Sequence, residues 1–109
     1  MNVFTTEQFN KEVKDFSHND QQVIFRAFQK ASEMTKEQLF STGKISYSLD
    51  GDEEIFIIKE GKIRIYCIIE KSFEQDFEES LVFIALERQT DKRSHFSLRL
   101  HKSIDNLRN

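Results

Sequence analysis

Proline is absent from this 109-residue chain and glycine occurs only three times, so no linker composition marks a boundary and the chain reads as one domain, 1–109. A single cysteine, Cys67, excludes a disulfide framework and a thiolate metal centre. On the apolar side of a strand pattern it reads as a small buried hydrophobe, which suits a reducing compartment. No window approaches the roughly 20 apolar residues that a membrane span requires. The opening Met1 to Glu7 has neither a basic start nor a long apolar run, so the expectation is an unexported, cytoplasmic protein without membrane partners.

Charge is plentiful but lacks a strong bias. Sixteen basic residues against 19 acidic give a net −3, which argues against bulk affinity for nucleic acid. Its distribution carries more information. Glu74, Asp76, Glu78 and Glu79 fall between residues 72 and 86 without a base, whereas residues 87–109 hold six bases against three acids. A basic end of this kind either meets phosphate or serves solubility.

The periodicities give an α+β order. Val3 to Thr5 suits an edge strand. Thr5 or Thr6 can cap a first helix whose apolar positions are Phe9, Val13 and Phe16, and Ser17-His18-Asn19-Asp20 supplies a break and a new cap. Ile24, Phe28 and Ala31, widened by Val23 and Ala27, then predict a second helix to about Met34. A further helical turn fits around Leu39 and Phe40 before Gly43. Ile45, Tyr47 and Leu49 alternate as a strand, and Asp50-Gly51 signals a hairpin whose loop Asp52 and Glu53 extend to four residues.

Ile55 to Lys59 and Lys62 to Glu70 form the next hairpin, and Leu81 to Leu86, apolar at every position, predicts a central strand covered on both sides. Asp91 can cap a last helix with Phe96, Leu100, Ile104 and Leu107 as its seam. The expected fold is (β)ααββββα, an antiparallel sheet packed against N-terminal helices, with a C-terminal helix.

The Ile55 to Cys67 hairpin holds the most specific chemistry. Ile63, Ile65, Cys67 and Ile69 alternate with Lys62, Arg64 and Tyr66, so one face is core and the other is suited to anions. If Glu60-Gly61 is a two-residue loop, Lys59 lies opposite Lys62 and joins Arg64 and Tyr66, with Phe56 and Ile58 on the core side. If Gly61 is the bulge residue of a three-residue loop, Lys59 drops into the turn and Ile55 and Ile57 become the core partners.

Arg64 must meet solvent, a carboxylate or a phosphate. Arg88, Lys92 and Arg93 follow the central strand, and together these cations could position a phosphodiester. His95, beside Arg93, is a candidate acid or base. The spacing of His95 and His101 is not one that puts two ligands on one helix face, so no metal is expected. His18 reads as solvated. The 11 phenylalanines exceed what an average core of this size needs, and an exposed patch of them would mark an interface.

With these residues in view, the chain resembles the RelE/ParE superfamily of small bacterial toxins from toxin–antitoxin pairs. Val3 to Thr5 leading into Phe9 to Val13 is similar to that family's first strand and helix start. Ile57 to Tyr66 is similar to its basic hairpin, and Leu81 to Leu86 followed by Arg88 and Lys92-Arg93 to its last strand and basic segment. The resemblance implies a toxin restrained by an antitoxin protein. Its ribosome-dependent members are endoribonucleases that stop translation by cutting messenger RNA, a ribose 2′-hydroxyl attacking the adjacent phosphate without a cofactor.

Carried over by position, Arg64 would hold the scissile phosphate, Lys59 and Lys62 would line the RNA path, and His95 would handle protons. The chain departs from that pattern where some family nucleases carry lysines, here Ile55 and Ile57, and where they carry a C-terminal tyrosine, here near Phe96 or Ser97. A non-enzymatic member that binds a protein partner, or one of the gyrase-inhibitor type, is the alternative.

Overall fold

The computed structural model describes residues 1–43, 45–72, 78–88 and 93–108, without the side chains of residues 72 and 93–98. The elements run β1 (Asn2–Thr5), α1 (Glu7–Val13), α2 (His18–Glu33), α3 (Lys36–Phe40), β2 (Ile45–Asp50), β3 (Glu53–Glu60), β4 (Ile63–Ser72), β5 (Glu78–Arg88) and α4 (Arg93–Arg108). This is the α+β order expected from periodicity, and the predicted caps hold. Thr6 Oγ1 accepts from the Phe9 N–H at 3.1 Å and Ser17 Oγ from that of Asp20 at 3.2 Å. Each satisfies a backbone donor that a helix start would otherwise leave without a partner.

The sheet order is β1-β5-β4-β3-β2. It is mixed, which corrects the expected all-antiparallel layer: β1 runs parallel to β5, with Val3 beside Leu81 and Thr5 beside Phe83. The reason lies in the two apolar faces of β5. As a strand buried on both faces it takes a neighbour on each edge, and β4, its hairpin neighbour, already fills one. β1 is an edge strand, as expected, and hands the chain to α1 just past that pairing.

Both hairpin loops differ from the sequence expectation, the first by being shorter and the second by its position. Asp50 pairs with Glu53, leaving Gly51 and Asp52 as the loop instead of four residues. Glu60 pairs with Ile63 and Lys59 with Arg64, so the second loop is Gly61-Lys62 and neither predicted register holds. In both, the first loop residue is a glycine in the left-handed region, Gly51 at φ 62° and Gly61 at φ 59°. That conformation suits a two-residue loop because it follows the twist of the flanking strands. The β3–β4 register is displaced by two residues from the first prediction, an even number, so Phe56 and Ile58 still share the side of Ile63 and Ile65.

Two cores sandwich the sheet. On one face Phe9, Phe16, Ile24, Ala27, Ala31 and Leu39 from α1–α3 and the approach to α2 meet Ile58, Ile63, Ile65, Cys67, Leu81, Phe83 and Leu86. Phe83 sits at the centre, edge-on to Phe9 and Phe28 with ring centroids 5.5 and 5.7 Å away. Cys67 is wholly buried there, and burial pushes its thiol pKa well up, so it serves as a hydrophobe. On the other face α4 lays Leu100, Ile104 and Leu107 over Ile55, Ile57, Tyr66, Ile68, Val82, Ile84 and Ala85. The face expected to be polar is therefore a second core over most of its length.

Candidate functional site

A bulge in β5 decides which side chains meet at the end of the sheet. Cys67 pairs with Phe83, but Tyr66 pairs with Ala85, leaving Ile84 as an extra residue. Past it the alternation of β5 changes phase: Leu86 and Arg88 turn to the α1–α2 side, and Glu87 turns to the α4 side, opposite Arg64. Without the bulge Glu87 would point into the α1–α2 core. Bulges re-aim side chains in this way at the ends of strands.

Glu87 is buried, with 1% of its surface exposed. Its Oε1 accepts from Tyr66 Oη at 2.8 Å and from Arg64 Nη1 at 3.2 Å. A buried carboxylate is tolerable when charged and polar donors converge on it, and the pair holds the guanidinium in place. Arg64 keeps 45% of its side chain exposed to solvent. Lys59 is exposed directly across the hairpin from it, and Lys62 is exposed in the adjoining loop. Lys59, Lys62 and Arg64 thus gather at one end of the sheet, with Glu87 as the buried counter-charge of Arg64.

The other predicted residues fall differently. Tyr66 is buried, 4% exposed, and acts as a donor to Glu87, away from the surface where an anion would lie; packing of α4 over this strand is the cause. Arg88 lies on the opposite face, where its guanidinium carbon stands 3.9 Å from the centroid of the Phe16 ring and its Nη2 donates to the Asp15 carbonyl. Lys92 and the side chains of Arg93 and His95 lie outside the described residues, as do Asp91 and the side chain of Phe96. His18 is exposed at the start of α2, with Nε2 3.2 Å from Gln22 Nε2, and His101 Nδ1 lies 3.0 Å from Asp50. Among the described residues no three His, Cys, Asp or Glu side chains gather as metal ligands would.

Three residues that the sequence reading passed over finish this end of the sheet. β1 stops beside Phe83, so the edge of β5 beyond it has no neighbouring strand. Glu12 Oε1 accepts from the Leu86 N–H at 3.1 Å, and Arg99 Nη2 donates to the Leu86 carbonyl at 3.4 Å. With Asp15, Phe16, Leu86 and Arg88 they line a cleft of about 90 Å³. Glu87 is the third. Its one sequence signal is a carboxylate directly following six apolar positions, which a strand leaving its core would also show.

The arrangement can hold an anion at the exposed side of Arg64, with Lys59 and Lys62 neutralising neighbouring charge. No helix is long and apolar enough to cross a membrane among the described residues. Comparison of the chain with family models, with curated proteins and with solved structures finds no match in any of the three.

Proposed function

We propose that this chain is a toxin-like component of a toxin–antitoxin pair, resembling the ribosome-dependent endonucleases, and that the β3–β4 end of its sheet receives the phosphodiester of a messenger RNA. The observation that carries the reading is Arg64, fixed from behind by Glu87 yet open in front and flanked by Lys59 and Lys62. In such a reaction the 2′-oxygen bonds to phosphorus, the 5′-oxygen leaves, and negative charge grows on the non-bridging oxygens. A guanidinium already held in position loses little freedom in meeting that charge. Lys59 and Lys62 would anchor the flanking backbone, and His95 is the residue proposed to move protons.

A second reading is favoured by the same cluster. Tyr66 is buried and part of the Arg64 charge is spent on Glu87, which suits a non-enzymatic binder of a protein partner, including the gyrase-inhibitor type. One experiment separates them. The wild-type chain and a Lys59→Glu/Lys62→Glu variant are induced in growing bacteria, and RNA ends are mapped. Growth arrest with cleavage phased to codons, lost in the variant, supports the nuclease. Arrest without RNA cleavage supports the binder, and growth unaffected by the wild-type chain overturns the toxin reading.

A further inference from the structure

Among the described residues no strand pairs with the outer edge of the sheet at β2, and the sequence of that strand is fitted to pair with itself. β2 is the last strand in the order and, among the described residues, pairs only with β3, over an unbroken register from Ile45 beside Ile58 to Asp50 beside Glu53. An edge of this kind presents a row of backbone N–H and C=O groups with nothing to bond. Proteins ordinarily blunt it with proline, lysine, a bulge or a covering loop. Ile45-Ser46-Tyr47-Ser48-Leu49 contains no charge and no proline, and its ladder has no bulge. Tyr47 and Leu49 are 56% and 61% exposed, although alternation with Ile45 marks them as the apolar side of the strand.

We infer that β2 is a dimerisation edge, on which a second copy of this chain adds its own β2 antiparallel across a two-fold axis at Tyr47. Its partner is argued from self-complementarity. In that register Ile45 meets Leu49, Ser46 meets Ser48 and Tyr47 meets itself, so apolar residues lie beside apolar ones on one face and hydroxyls beside hydroxyls on the other. A two-fold axis brings like residues together, and the neutral segment meets it without repulsion. The result is a ten-stranded sheet. Tyr47 is already braced against Phe56, ring centroids 5.7 Å apart, which orients it for a partner at little entropic cost. The short contact predicts association at micromolar concentration, and it leaves the Lys59–Lys62 end open.

The test reads mass and register separately. Light scattering on the full chain at about 100 µM should give a dimer. Tyr47→Lys, which sets two ammonium groups face to face on the axis, should give a monomer with an unchanged circular dichroism spectrum and a melting temperature that no longer depends on protein concentration. Cross-linking fixes the register independently. Cα atoms paired across an antiparallel ladder lie about 4.5–5.5 Å apart, within disulfide reach, whereas residues at 49 in the two copies would be about 14 Å apart. With oxidised glutathione as the oxidant, Tyr47→Cys should therefore link into covalent dimers and Leu49→Cys should not. Cys67, fully buried, stays out of the exchange. A monomeric wild-type chain, a Tyr47→Lys chain that remains dimeric, or equal cross-linking at both positions overturns the inference.

Discussion

Arg64→Met tests whether the buried carboxylate depends on its guanidinium. At 3.2 Å and an effective dielectric near 20, the pair attracts by about 5 kcal/mol. Solvent reaches nearly half of the arginine side chain, which screens that attraction to about 2–3 kcal/mol. Methionine keeps the apolar stem and removes the charge, so unfolding in urea followed by circular dichroism should show a loss of about 2 kcal/mol at pH 7. Adding Glu87→Gln, which retains an acceptor for Tyr66, should recover more than half of the loss at pH 7. A deficit below about 0.5 kcal/mol would refute the reasoning.

Three further outcomes follow from the fold. Gly61→Ala meets no atom within 4 Å but must hold φ near +59°; the urea midpoint should fall by the equivalent of about 1 kcal/mol from backbone strain alone. Phe83→Ala removes the ring against which Phe9 and Phe28 pack and should cost about 3–5 kcal/mol in the same assay. The Lys36 ammonium, donating to Glu79 at 2.7 Å, holds the Glu79 carboxyl below its ordinary pKa. A lowered folded value adds stability above the unfolded pKa and loses it as pH falls through the folded one. The pair is exposed, so Lys36→Met should lower stability by no more than about 0.5 kcal/mol at pH 7, with no difference from wild type near pH 2.

Local signals carried most of the fold. Thr6 and Ser17 announce helix starts because capping is a contact within four residues, and Leu81 to Leu86 announces a doubly covered strand because every position is apolar. The same uniformity hides the bulge at Ile84. A run with no polar residue has no marker of phase, so nothing in it reveals that Glu87 changes sides. The parallel pairing of β1 escaped for a different reason, since it joins residues about 80 apart and depends on which edge of β5 is free. The shared face of Arg64 and Tyr66 was legible from the period of two, while the places of Lys59 and Lys62 hung on the turn register. That Tyr66 would lie beneath α4 was not, because the period sorts faces without saying what covers them.

The most direct test of the central claim, that Lys59, Lys62 and Arg64 form an open phosphodiester-binding end, is the fluorescence anisotropy of a short labelled single-stranded RNA titrated with the chain at several salt concentrations. The account predicts binding that weakens with salt. It also predicts that a Lys59→Glu/Lys62→Glu variant of unchanged melting temperature binds more weakly, with a slope of log affinity against log salt that is shallower by about 1.4, two phosphate contacts at roughly 0.7 each. Equal affinity and slope in the two proteins, or no binding by wild type at low salt, would contradict it.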